Sequence, residues 1–244
     1  MHDDRETALD MSRREVLALL AAAGGVMLAR SSAQAGSASS TDGEPPSCIV
    51  TPEQTEGPYF VDERLNRSDI RTDPADGAVK AGMPLMLRLC VSSINHAGCL
   101  PLVGAIVDIW HCDAAGVYSD VTDQNFNTVG KMFLRGYQVT DVNGGVRFTT
   151  IYPGWYRGRT VHIHFKVRVK ADSGQTYEFT SQLYFDDAIT DRAHAYKPYG
   201  RKRQRTVKND GDGIFRDGGS QLMLSPVEHG QGYAATFDVG LQVI

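Results

Sequence analysis

The chain lacks a charge excess of either sign: 25 Lys and Arg stand against 29 Asp and Glu, a formal net charge of −4 over 244 residues. Nothing in that balance asks for a nucleic-acid partner. It also lacks an apolar run long enough to cross a bilayer. The run Val16–Leu28 has thirteen residues, where a spanning helix needs about 20. Helical periodicity is missing as well, because past residue 47 no segment keeps a 3.6-residue apolar repeat over three turns. There is no internal repeat. Cysteine is scarce, and Cys48, Cys90, Cys99 and Cys112 follow no zinc-binding spacing.

What is present begins with an export segment. Arg13-Arg14 precede the apolar run and Ala33-Gln34-Ala35 follow it as an A-x-A cleavage signal. The segment resembles a twin-arginine export signal, with Val16 where that pattern prefers Phe and Ala18 where it often has Lys. A Sec signal that carries two arginines by chance is the alternative. Residues 1–35 are therefore read as signal, 36–47 as a disordered Ser/Gly/Pro linker, and 48–244 as one β-sandwich domain. Export to the periplasm or beyond, with no membrane attachment after cleavage, is the expectation. The twin-arginine route moves folded proteins, often with a cofactor already seated. Losing residues 1–35 removes four basic and five acidic residues and leaves a net −3, so the conclusion on charge stands. Export also permits disulfides. Cys99 and Cys112 flank one predicted strand, too far apart to join, so Cys48 is expected to pair with one or the other.

From residue 83 onward the recurring signal is alternation. Leu85, Leu87, Leu89 and Val91 are apolar at period two, which predicts a strand with one buried face. Further strands are predicted at 102–111, 133–140, 145–151, 161–169, 177–185, 221–226 and 232–242. Asn143-Gly144 separates two of these runs and predicts a two-residue hairpin of the primed type. Many short strands between turn signals give an all-β fold, a β-sandwich core with long loops. Residues 48–82 read as an arm wrapped on that core. The stretch NDGDG (209–213) reads as a tight turn, since the spaced acids and terminal Glu of a calcium loop are missing. The basic run Arg201–Arg205 reads as a solvated loop face.

The stretch IYPGWYRGRTVHIHFKV (151–167) carries the chemistry. On a strand, residues i and i+2 share a face. Val161, Ile163, Phe165 and Val167 then point into a core, and His162, His164, Lys166 and Arg168 point the other way. Two imidazoles on one face can reach a single metal ion, or they can be two histidines on a wetted surface; H-x-H alone does not choose. Tyr156 and Arg159 sit in a Gly-bounded loop leading into the strand. Tyr118 follows another strand through Ala-Ala-Gly. Its structural alternative is a packed ring with a hydrogen-bonded hydroxyl.

TPEQTEGPYF (51–60), GAIVDIWHCDAAGVYS (104–119), FLRGYQVTDVNGG (133–145), the 151–167 stretch and SQLYF (181–185) occur in this order over most of 48–240. Together they resemble the intradiol ring-cleavage dioxygenases, the family of the protocatechuate and catechol dioxygenases. The resemblance implies a β-sandwich holding a non-haem Fe(III) with Tyr118, Tyr156, His162 and His164 as ligands. It implies Arg159 as a catalytic residue and Tyr156 as the ligand that leaves and takes a proton. It sets Pro58, Tyr59, Arg159 and Gln182 around the substrate. That substrate would be a small catechol-type aromatic, cleaved with O2 between its two hydroxyls to a muconate-type product. The long N-terminal helical dimerisation region of the catechol and hydroxyquinol branches has no room before residue 51, and a homo-oligomer stays open. The export signal sets the chain beside exported single-domain members.

The donor types suit such an ion. Singlet catechol reacts slowly with triplet oxygen, and chelation to Fe(III) lets electron density leave the ring. Phenolates are hard anionic donors, and coordination favours the deprotonated form despite a free pKa of about 10. A fixed guanidinium at Arg159 would stabilise the charge that develops on the attacked ring carbon. Two readings compete: a secreted β-sandwich binding module that has lost catalysis, and zinc or copper in the same site, which two phenolates disfavour. A carboxylated catechol would need a further cation, and Arg135, Arg157 and Lys166 all remain open for that part.

Overall fold

The computed structural model describes residues 49–95, 98–170, 174–199 and 205–242. The expected signal (1–35), the linker (36–47), Cys48 and all but the last residue of the basic run lie outside them. In chain order the strands are β1 (Pro84–Asn95), β2 (Gly98–Pro101), β3 (Ile106–Trp110), β4 (Thr122–Asp123), β5 (Phe126–Asn127), β6 (Arg135–Val139), β7 (Gly145–Ile151), β8 (His162–Lys170) and β9 (Thr176–Phe185). Helix α1 (Asp187–His194), helix α2 (Gly213–Arg216), β10 (Met223–Leu224), β11 (Val227–His229) and β12 (Gly232–Leu241) complete them.

Two five-stranded sheets form the sandwich. In the first, β11, β12, β1 and β2 run side by side, and β7 pairs with the other half of the β1 edge that β2 uses. In the second the order is β10-β9-β8-β3-β6. The period-two residues Leu85, Leu87, Leu89 and Val91 are fully buried, and so are Ile163, Phe165 and Val167 of the second sheet, all in one core cluster. Burying each such aliphatic side chain contributes roughly 1.5–3 kcal/mol, and this contact between inner faces holds the sheets together. The all-β expectation is met.

Several local expectations change. No hairpin joins β6 to β7, because they belong to different sheets. The Asp141 carboxylate accepts from the Asn143 and Gly145 amides, and only Gly144 of the Asn-Gly pair has positive φ, at 71°. A primed turn needs both residues there, so the chain turns from one sheet to the other instead. The strand predicted at 102–111 begins only at Ile106, after Gly104 at φ 77°. The one predicted at 221–226 shortens to the two residues of β10, which follow a 3-10 turn at Gly219–Leu222. Helix α1 has eight residues, too few for a three-turn signal, and starts where Asp186 accepts from the Ala188 and Ile189 amides. Arg205 is not a solvated loop residue: its guanidinium binds Asp187 and Asp191 beside α1. Cys99 is disulfide-bonded, whereas Cys90 and Cys112 are thiols.

The arm before β1 wraps both sheets. Its Thr51 amide donates to Gly240 of β12 and its Gln54 amide to Thr180 of β9, each at 2.9 Å. Asn66 and Asp69 bridge to Tyr137 of β6 and Thr149 of β7. The outer face of the second sheet is therefore covered, and the polar side of β8 is an interior.

Candidate metal centre and active site

His162 and His164 lie on that covered face, 2% and 1% exposed. The wetted-surface alternative for H-x-H fails on this burial. Register sets His162 opposite Tyr184 and His164 between Trp110 and Gln182. The Trp110 indole stacks flat on the His164 ring, centroids 5.0 Å apart and 7° from parallel. Gly57, at φ 72°, closes the other approach; a Cβ there would stand 3.4 Å from His164 Cε1.

Both tyrosines come from loops fastened to each other. The Asp113 carboxylate accepts from the Ala115 and Val117 amides and shapes the turn after β3. Beyond it, Thr128 Oγ1 donates to the Tyr118 carbonyl at 2.7 Å and Arg135 Nε donates to Ser119 Oγ at 2.7 Å. In the Tyr156 loop, a Cβ on Gly154 would lie 2.3 Å from the Asp113 carbonyl oxygen. Only glycine permits that approach. His194 Nε2 donates to the Pro153 carbonyl at 2.9 Å. The Pro153-Gly154 end is thus pinned rather than hinged, whereas Gly158, at φ 90°, has open space around it.

The four side chains converge. His162 Nδ1 lies 2.7 Å from the Thr160 carbonyl. A carbonyl only accepts, so Nδ1 carries the proton and Nε2 keeps its lone pair. That lone pair faces His164 Nε2 at 3.0 Å and the Tyr156 hydroxyl at 3.3 Å. The Tyr118 ring is edge-on to Tyr156 at 5.6 Å and to His164 at 6.2 Å. Its hydroxyl and His164 Nδ1 are buried without a hydrogen-bond partner. The structural alternative for Tyr118 required a hydrogen-bonded hydroxyl, and there is none.

These donors fit a cation. Two imidazoles on one ion with bonds of about 2.1 Å stand about 3.0 Å apart when they coordinate at right angles, the separation seen between His162 and His164. A buried phenol left unsatisfied costs about 1–3 kcal/mol, and an ion reached by Tyr118 would offset that. Burial pulls the His162 pKa down to about 3, helped by the Arg159 charge. Burial first, then His162 and Arg159, take His164 well below the usual histidine range. Both rings are neutral, as ligands must be. Burial holds the Tyr118 and Tyr156 phenols well above 10, so only a strong positive charge beside them would deprotonate them. Among the described residues no group of three or more His, Cys, Asp and Glu could hold a metal. Half of this donor set is phenolic, which favours a hard trivalent ion over zinc.

Arg159 is set against the same point. Its Nη1 lies 3.5 Å from His162 Nε2, its Nη2 donates to Gln182 Oε1 at 2.6 Å, and its Nε donates to Asp212 Oδ2 at 2.8 Å. Burial opposes its charge, but Tyr156 and Asp212 outweigh it and raise its pKa. Gln182 is fully buried and spent: Oε1 also accepts from Tyr184, and Nε2 donates to the Thr55 carbonyl. It holds Arg159 and the arm.

Asp212 was missed by sequence reasoning. It is 1% exposed; Oδ2 also accepts from the Thr160 amide, while Oδ1 caps α2 at Ile214 and Phe215. The NDGDG stretch is therefore an anchor for Arg159 and Thr160, with Asn209 accepting from Thr160 Oγ1 at 2.7 Å. Burial pushes the Asp212 pKa up, yet the Thr160 amide and Arg159 leave it below 3.8 overall. Its contribution to stability is thus present above that value and lost as pH falls through the lower folded one. Nothing local in the sequence marks Asp212, because its partners lie about fifty residues away.

An open cleft of about 880 Å³ leads to Tyr156. Tyr59 forms one wall, stacked on Tyr118 at 4.5 Å, with its hydroxyl donating to Asp123 at 2.8 Å. Pro58 is exposed and does not line this cleft.

Residues 55–208 match the family described as Dioxygenase. The chain is 30% identical over 70% of its length to the protocatechuate 3,4-dioxygenase beta chain of Burkholderia cepacia, covering 71% of that protein. Its fold is similar to that of an intradiol ring-cleavage dioxygenase from Tetranychus urticae, with a TM-score of 0.68, 30% identity, and coverage of 80% of this chain and 95% of that one. The dioxygenase domain of a dioxygenase–carbohydrate-binding fusion from Streptomyces sp. SirexAA-E superposes with a TM-score of 0.56 at 30% identity, covering 80% of this chain and all of that domain. In sequence over most of its described length, and in the course of both sheets, the chain belongs to the intradiol ring-cleavage dioxygenase family.

Proposed function

We propose that the enzyme is an Fe(III)-dependent dioxygenase that cleaves a catechol-type ring between its two hydroxyls, with Tyr118, Tyr156, His162 and His164 as iron ligands. One observation carries the metal assignment: two neutral imidazole nitrogens 3.0 Å apart, with the Tyr156 hydroxyl 3.3 Å from that of His162 and the Tyr118 hydroxyl buried without a partner. When bound, Fe(III) would supply the electron sink that lets a catecholate react with O2. Tyr118 and the histidines, held by Trp110, Thr160 and the Ser119–Arg135 brace, form the fixed frame. Tyr156 is the mobile donor, on the Gly158 side of its loop. Burial makes its phenolate oxygen a strong base, suited to accept a proton from a substrate hydroxyl. Arg159 directs its guanidinium at the reacting ring, and Asp212 and Gln182 fix its plane. The twin-arginine-like segment supports export of the folded, loaded enzyme.

Oxygen uptake with catechol, protocatechuate and hydroxyquinol tests the reaction, with product identification. Muconate-type products are expected; semialdehydes from cleavage outside the diol would overturn the class. Asp212→Asn is expected to lower turnover about ten- to a hundredfold, the worth of a charge-assisted hydrogen bond, with iron content and KM near those of the parent. Parent-like turnover would remove Asp212 from the support of Arg159.

A further inference from the structure

Within the reading of the site as a catechol dioxygenase, the structure narrows the substrate further. Three cations besides Arg159 lie near the site, and the fold commits two of them. Arg135 is buried and donates to Ser119 Oγ and to the Ser119 and Tyr59 carbonyls. Lys166 is buried between Glu56 and Glu178, over the Phe60 ring. Arg159 itself is tied to Asp212 and Gln182.

Arg157 differs. It is exposed, forms part of the cleft wall beside Tyr156, and makes no hydrogen bond or ion pair among the described residues. The turn that carries it is anchored at its Gly154 end, and Gly158 at φ 90° ends it beside open space.

The cleft is also larger than one dihydroxylated ring requires. At about 880 Å³ it falls in the range that accommodates drug-sized ligands, roughly 300–1,000 Å³. Its lining includes Tyr59, Phe126 and Trp155, flat rings suited to a planar arm. The opposing charge is Asp123, whose carboxylate accepts from Tyr59 and Asn125. That acid is already occupied by donors, and it disfavours an anion at its own end of the cleft.

We infer that Arg157 is a specificity-determining residue that binds an anionic group on an extended, planar substituent of the catechol ring. The ring enters toward Tyr156, the arm lies along the aromatic wall, and the anion meets the guanidinium. An exposed pair of this kind gains modestly and is screened by salt.

Calorimetric binding of 3,4-dihydroxycinnamate and of its neutral methyl ester, to the parent and to Arg157→Gln, tests this. The parent is expected to favour the acid over the ester by about five- to tenfold at low ionic strength, a preference that shrinks as salt is added. In Arg157→Gln the ratio of the two affinities should fall to about one. An equal ratio in parent and variant, or a preference indifferent to salt, overturns the assignment. Oxygen uptake with the same two compounds reports separately on the chemistry. A salt-sensitive, Arg157-dependent preference without uptake would uphold the binding role while removing the dioxygenase reading of the site.

Discussion

Arg159→Ala is expected to keep its iron and its reddish tyrosinate colour while turnover falls about 100- to 1000-fold. The guanidinium makes no contact that the fold needs for the donor set to form. It approaches His162 Nε2 at 3.5 Å from the side, while each histidine is held by other groups: Thr160 for His162, Trp110 for His164. On the proposed reading, what is lost is a positive charge that Asp212 and Gln182 hold in place beside the reacting ring. Removing it also leaves Asp212 with its Thr160 and α2 amides alone. Stopped-flow turnover with metal analysis separates the two effects. A colourless, iron-poor Arg159→Ala would mean that the residue helps build the metal centre rather than stabilise the reacting ring. Parent-like turnover would remove it from the mechanism altogether.

Tyr118→Phe should lose bound iron, with the colour and all ring cleavage. The apo-protein should meanwhile unfold at least as high as the parent apo-protein. This opposite pair of effects follows from the unpartnered hydroxyl. Its ring is packed by Tyr59 and Tyr156, which Phe preserves. Its oxygen has no hydrogen bond to lose, and relief of a buried unsatisfied group is worth about 1–3 kcal/mol. His162→Ala should also lose iron, but with a less stable apo-protein, because it removes a ring bonded to Thr160. Iron content by elemental analysis and apo-protein melting decide between outcomes. Full iron occupancy in Tyr118→Phe would end the ligand assignment.

Much of this site is legible from the chain because its parts are local. H-x-H on a strand fixes two imidazoles on one face by geometry alone, and the loop bearing Tyr156 and Arg159 runs directly into that strand. The strand-like runs likewise locate β7, β8, β9 and β12 within one residue at either end, and the period-two repeat from Leu85 to Val91 falls inside β1, which continues to Asn95. The departures share a cause. Asn143-Gly144 predicts a hairpin that does not form, because turn chemistry says nothing about which sheet the next strand joins. The face of β8 that bears the histidines looks solvent-exposed in pattern, although the arm at 49–83 buries it. Polar residues alternate in the same way whether water or another segment covers them.

The sequence by itself determined the longer strands, their inner faces, the arm, and the residue types gathered near one strand end, because each depends on spacing along a short stretch. Only the tertiary structure decided how those residues are used. It tied Arg159 to Asp212, spent Gln182, Arg135 and Lys166 on internal partners, and left Arg157 on the cleft wall. A side chain's available valences depend on which distant groups packing brings to it, and that is not written in its neighbours along the chain.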